Sequence, residues 1–179
     1  MRDLAAEDLV FIDEAGVNLA MVRLYARSPQ GQRAVGSRPQ ARGQNISMIE
    51  ALSWQGPIAP IQLCGSMDGL TFEAYIIRRV VPHLWPGACL VLDNSSIHQS
   101  DEIEAAVKAV GARLFYLPPY SPDFSPVENF WSKVKTILNS IGARTYQALQ
   151  KAIEIAYNQV SLKDIHNWFA FRCYCTSPN

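Results

Sequence analysis

Long hydrophobic runs are missing from this sequence: nowhere does it offer the ~18 consecutive apolar residues that a membrane-crossing helix requires. Its first residues, MRDLAAEDL, carry acids where an export signal needs a basic and then an apolar stretch. The expectation is a cytoplasmic protein with no membrane partner. Cysteine is scarce too, four in 179 residues, and Cys64, Cys89, Cys173 and Cys175 show no C-x-x-C spacing. Cys89 sits in an apolar run, where a thiol acts as a small hydrophobe, and Cys173 and Cys175 with His166 give a zinc site little support. Neither sign of charge is in excess: 16 basic and 16 acidic side chains cancel, which argues against a protein that simply coats nucleic acid. What remains, 49% apolar residues with 10 Gly and 11 Pro, is an ordinary globular composition at a length that suits one domain, residues 1–179.

The distribution of charge says more than its sum. From Arg23 to Asn45 there are five arginines (Arg23, Arg27, Arg33, Arg38, Arg42) and no acid, among Gly, Ser, Gln and Pro. Such a stretch reads either as a solvated loop or as a flexible arm that contacts phosphates and orders on binding.

The densest local signal is LPPYSPDFSPVENFWSKVK, Leu117 to Lys135. Prolines at 118, 119, 122 and 126 fix φ and bias the residues before them toward extended backbone, so the lead-in is stiff. Ser125 reads as an N-cap, Pro126 as the first helical residue and Glu128 as the third. Val127, Phe130, Trp131, Val134, Ile137, Leu138 and Ile141 then follow one apolar face, with Glu128 beside it. Taken alone, Ser-x-x-Glu is a capping box.

Leu9 to Ile12 is a continuous apolar run ending in Asp13, Glu14, Ala15 and Gly16, the pattern of a buried strand stopped by a turn. Val17 to Tyr25 is expected to form a second strand, Ile46 to Trp54 a third, and Ile58 to Cys64 a weaker fourth. A helix is expected from about Thr71 to Val81, stopped by Pro82. Ala88 to Leu92 repeats the first design and stops on Asp93. Ser100 caps a further helix that Gly111 ends, Arg113 to Leu117 makes a strand, Thr145 opens another helix, and Ile165, Trp168 and Phe169 mark a short last one. This order indicates an α/β domain, a mixed sheet covered by helices.

In such sheets ligands collect at the carboxyl ends of parallel strands, so two neighbouring strands delivering Asp13 and Asp93 would bring them together, with Glu128 approaching from its helix. Each aspartate alone is also common turn chemistry. Together, carboxylates at one sheet edge repel one another unless a cation joins them. Hard oxygen donors suit Mg2+ or Mn2+. Two such ions, typically ~3.5–4 Å apart, activate the attacking oxygen and stabilise the leaving one at a phosphodiester.

The blocks FIDEAG, VLDNSSIH and LPPYSPDFSPVENFWSKVK together resemble the three acidic blocks of mariner-like (Tc/mariner) DDE transposases, in particular their bacterial insertion-sequence branch. Thirty-four residues intervene between Asp93 and Glu128, the family's separation. YARSPQGQRA, ISMIEALSWQG and the WFAFRCYC tail extend the likeness over nearly the whole chain. The resemblance implies a ribonuclease H-like fold with a mixed five-stranded sheet, and Asp13, Asp93 and Glu128 as the catalytic, metal-binding triad for Mg2+ or Mn2+, two ions. Glu14, Asn94 and His98 match positions near that site. It further implies hydrolysis of a phosphodiester at a transposon end, then attack of the freed 3′-hydroxyl on target DNA, commonly at a TA step. Double-stranded DNA is the expected partner, touched by the arginine stretch and by Lys133 and Lys135, and a homodimer is the expected assembly.

Relatives carry helix-turn-helix modules before the first acidic block, but here only twelve residues precede Asp13. End recognition is therefore expected from a separate N-terminal DNA-binding product, in a bacterial, nucleoid-associated setting. Two rivals stand beside this reading: a structure-specific nuclease that shares the triad but cuts without joining, and a catalytically silent DNA-binding remnant.

Overall fold

The two apolar runs become the centre of the sheet. In the computed structural model, which describes residues 4–119, 121–172 and 174, β1 spans Leu9–Val17, β2 Ile46–Ser53, β3 Gly56–Cys64, β4 Cys89–Leu92 and β5 Arg113–Tyr116. They lie in the order β3-β2-β1-β4-β5. β1, β2 and β3 pair antiparallel, whereas β1 with β4 and β4 with β5 are parallel. The sheet is the mixed, five-stranded one expected.

Alternation along β1 sends its side chains to two separate cores. Val10 and Ile12 face α1 (Gly69–Tyr75) and α2 (Asp101–Ala109); Phe11, Ala15 and Val17 face α3 (Val127–Ile141), α4 (Tyr146–Asn158) and α5 (Leu162–Phe171). Polar residues start the helices as the sequence suggests: Ser100 accepts from the Ile103 N–H and Thr145 from the Ala148 N–H. α3 buries Val127, Phe130, Trp131, Val134 and Leu138, while Ile141, expected on that face, is exposed at its end. Gly142 closes the helix at φ 63°, a left-handed conformation suited to glycine.

Four local expectations are corrected. β1 does not stop at Asp13 but continues to Val17, because β2 pairs with it from Val10↔Ser53 to Val17↔Ile46. A Cβ at Gly16 would stand 2.9 Å from the side-chain Nδ2 of Asn45, the residue before β2. The second strand over residues 17–25 does not form, since β2 and β4 already occupy both edges of β1. Residues 18–45 instead make a loop without helix or strand, closed at its base by the Leu19 N–H on the Arg42 carbonyl oxygen at 3.0 Å.

The helix expected at 71–81 starts earlier, where Asp68 caps it, and passes after Tyr75 into a π turn, Ile76–Val80, and a 3-10 turn, Val81–His83. The weak fourth strand is a full nine-residue edge strand, β3. Its register against β2 jumps from Ile49↔Ile61 to Ala51↔Ile58, and Ala59 takes φ 50° in the bulge. The Ile58 N–H there donates to Glu50 Oε1 at 3.2 Å. Cys173 and Cys175 lie outside the described residues.

Candidate active site

Parallel pairing of β1 with β4 ends at Phe11↔Val91, and two residues beyond each partner stand Asp13 and Asp93. β2 keeps Asp13 in extended backbone opposite Glu50. Asp93 leaves the sheet, and its carboxylate accepts the Ser95 N–H at 3.0 Å, an Asx-type turn. The turn chemistry and the placement of the acid are thus one feature.

Glu128 reaches the same place from α3. Ser125 is extended (φ −105°, ψ 115°) and Pro126 helical (φ −67°, ψ −19°), so the chain bends into the helix at the proline as its sequence suggests. The capping box does not form: no side chain caps α3, and Glu128 is exposed in its first turn. Asp13, Asp93 and Glu128 line one cleft of about 360 Å³, whose wall includes Pro118, Pro119 and Pro122. The stiff lead-in read from the prolines is therefore the rim of the site.

The charges in the cleft oppose one another. Burial, then the negative charge of Glu128, pushes Asp13 up to about 7. Its neighbour Asp93 is held below the usual carboxylate range, first by its bond to His98. His98 is 2% exposed and bridges two acids: Nε2 lies 3.0 Å from Glu14 Oε1, and Nδ1 is in ion-pair contact with Asp93, without good hydrogen-bond alignment. Burial alone would lower the imidazole, but the bonds to Asp93 and Glu14 prevail and hold it at about 9. Its ring stacks on Phe72, centroids 4.1 Å apart, and its carbonyl oxygen accepts from the Tyr116 hydroxyl at 3.2 Å. By strand alternation Glu14 shares the side of Val10 and Ile12, where His98 stacks on Phe72 of α1, and Asp13 the side of Phe11 and Ala15, toward α3. Asn94, the third expected neighbour, accepts from Gln99 Nε2 at 2.9 Å.

Among the described residues no cationic side chain pairs with Asp13 or Glu128. Nor do three His, Cys, Asp or Glu side chains there converge into a closed metal cage. This donor set, carboxylates facing an open cleft, fits a hard divalent cation that keeps water and substrate phosphate in its shell. Asp13, Asp93 and Glu128 are the carboxylates that line this cleft.

The expected phosphate contacts divide. Arg27, Arg33, Arg38 and Arg42 are exposed on the loop. Arg23 is tied to α3, donating from Nε to Ser140 Oγ at 2.9 Å. Lys133 pairs with Asp164 at 2.7 Å and joins α3 to α5. Lys135 is half-buried on the same helix. The Glu14–His98 bridge has no signal in the sequence, because its two members lie 84 residues apart.

Among curated protein sequences none matches this chain. Solved structures do match: a pre-cleavage Mos1 transpososome with TM-score 0.74 at 14% identity, over 97% of this chain and 56% of that one. A Mos1 mariner paired end complex with Mn matches with TM-score 0.73 at 15% identity, over 96% and 55%. The Mos1 transposase catalytic domain with Raltegravir and Mn matches with TM-score 0.70 at 12% identity, over 96% and 82%. The chain thus spans little more than half the length of the polypeptides in the first two, and the fold is the ribonuclease H-like one of that catalytic domain. No helix among the described residues is long and apolar enough to cross a membrane. A family model, DDE superfamily endonuclease, covers residues 8–150, from the residue before β1 into α4 and across all three acids, and the chain belongs to that family.

Proposed function

We propose that this chain is the catalytic domain of a mariner-like DDE transposase, of the bacterial insertion-sequence type, that cleaves DNA at transposon ends and joins the freed end to a target. The observation that carries this reading is the meeting of Asp13, Asp93 and Glu128 on one cleft at the carboxyl ends of parallel β1 and β4. The Mos1 structures with paired ends, with Mn or Mg, and in a strand transfer complex support it.

When bound, Mg2+ or Mn2+, two ions by the resemblance, supplies activation of the attacking oxygen and charge stabilisation at the phosphorus. Asp13, Asp93 and Glu128 would hold that charge in the cleft, Asp13 and Glu128 having no cationic partner among the described residues. His98 fixes the Asp93 carboxylate from behind and cancels the repulsion between Asp93 and Glu14. Pro118, Pro119 and Pro122 wall one side of the cleft. In the first step water attacks phosphorus and the bond to the 3′-oxygen breaks, leaving a 3′-hydroxyl and a 5′-phosphate. In the second that hydroxyl attacks a target phosphodiester and displaces its 3′-oxygen, so the number of ester bonds is unchanged and no external energy source is needed. The exposed arginines of the loop hold the duplex by its phosphates, with no base readout of their own. End recognition comes from a separate DNA-binding segment, and the working unit is a homodimer in the bacterial cytoplasm.

The test is cleavage and joining of labelled DNA duplexes in Mg2+ or Mn2+, beside Asp93→Asn and Glu128→Gln. Metal-dependent nicking with strand joining, reduced at least about 10²–10³-fold by either substitution, is expected. Nicking without joining would replace the transposase with a nuclease. Activity insensitive to both substitutions would remove the triad.

A further inference from the structure

Two residues beyond α5, Arg172 and Tyr174, reach the rim of the cleft. Arg172 is 14% exposed. Its Nε donates to Asn129 Oδ1 at 3.0 Å, and Nη1 donates to the Asp123 carbonyl oxygen at 2.8 Å while standing 3.5 Å from the carboxylate of the same residue. Two residues on, the Tyr174 hydroxyl donates to the Phe124 carbonyl oxygen at 2.8 Å. Tyr174 is itself anchored, its ring 5.2 Å from that of Phe11 and its N–H on the Phe169 carbonyl oxygen at 3.0 Å.

What these two residues hold is the glutamate's support. Asp123 and Phe124 belong to the 3-10 turn of the rim, Pro122–Phe124, and Asn129 follows Glu128 in the first turn of α3. That turn of α3 has no side-chain cap of its own. A guanidinium is planar and rigid, and by bonding Asn129 with one nitrogen and Asp123 with another it fixes the distance between helix start and rim. A lysine could satisfy one of the two but could not bridge them.

We infer that Arg172 is a positioning residue for Glu128: its guanidinium clamps the rim turn to the start of α3 and so sets where the third acid stands in the cleft. The inference rests on the active-site reading above. It assigns a role to the WFAFRCYC tail, which the triad leaves unexplained.

The test is Mn2+ binding to the 179-residue chain, followed by the loss of the free-ion electron paramagnetic resonance signal, so that neither DNA nor turnover is needed. Arg172→Ala is expected to weaken Mn2+ binding on the order of tenfold, as loss of groups that orient metal ligands does. Arg172→Lys should recover only part of that loss. Asn129→Ala should weaken binding similarly, and the double variant should be no worse than either single one, since both remove the same link. Native circular dichroism with unchanged Mn2+ affinity in Arg172→Ala would overturn the inference. Should Arg172→Ala fail to fold, Asn129→Ala, which removes one half-buried amide, carries the same expectation and the same refutation. Glu128→Gln separates the two levels: if it leaves Mn2+ binding unchanged, or if the unsubstituted chain binds none, the active-site reading falls and the clamp falls with it.

Discussion

His98 Nε2 stands 3.0 Å from Glu14 Oε1, and through its other nitrogen the same ring touches Asp93, so one buried imidazole ties the central strand to the loop after β4. Replacing His98 with Ala leaves Glu14 and Asp93 as unpaired neighbouring acids and removes the ring stacked on Phe72. We expect a roughly 10–100-fold loss of Mn2+ affinity or of cleavage, together with a lower Tm. Metal titration and differential scanning calorimetry check the two effects separately.

Asp13 is expected to trade stability for function. Burial and the charge of Glu128 disfavour its ionised form in the metal-free protein. Asp13→Asn keeps the shape without the charge, so the metal-free variant should be more stable by roughly 1–3 kcal/mol at pH 8. Adding Mn2+ should raise the Tm of the unsubstituted protein by mass action and leave that of the variant nearly unchanged. A thermal scan of both, with and without metal, decides this.

Glu50 gives a pH dependence away from the cleft. It is fully buried on β2, and desolvation, only partly offset by the Tyr157 hydroxyl and the Ile58 N–H, holds its carboxyl well above the ordinary value of 4.5. In the unfolded chain the proton leaves near 4.5, whereas the folded protein retains it. The unfolded state therefore binds fewer protons once the pH passes 4.5, and folding loses stability as the pH rises toward the folded pKa. Glu50→Gln removes this slope. Urea midpoints at pH 5 and pH 8 should show the variant gaining on the unsubstituted protein at the higher pH.

The basic side chains should separate by function. Replacing Arg27, Arg33, Arg38 and Arg42 with Ser should weaken duplex binding at all sequences alike and flatten the salt dependence of log K by ~0.9 for every phosphate no longer neutralised. Lys133→Met should leave DNA affinity unchanged and cost less than about 1 kcal/mol of stability, since its half-exposed pair with Asp164 joins only α3 to α5. Fluorescence anisotropy over a salt series distinguishes these outcomes.

Sequence patterns revealed whatever local chemistry decides. The apolar runs at residues 9–12 and 88–92 marked the central parallel pair and its two acids, and proline with periodicity placed the bend into α3. Partner choice was hidden. Asp13 looked like the end of a strand because its polar neighbours suggest a turn, yet β2 holds them extended. Residues 17–25 looked like a strand, but β2 and β4 already flank β1, the strand they follow. Ser125 and Glu128 spelled a capping box, yet the glutamate faces the cleft. The pairing of Lys133 with Asp164 joins two side chains 31 residues apart and has no local signal.

β1 is paired antiparallel on one side and parallel on the other, so Asp13 stands on a strand shared by both halves of the sheet. The β2–β3 hairpin closes over the two residues Trp54 and Gln55, whereas Asp93 and Glu128 join Asp13 only when distant segments return. Closures of that kind come late, because long stretches of chain must give up their freedom first. Synthesis also delivers Asp13 to solution long before the rim, the helix and Arg172 exist. In a nascent chain Asp13 therefore stands without Asp93 and Glu128 beside it, and the cleft that the three acids share exists only in the finished fold.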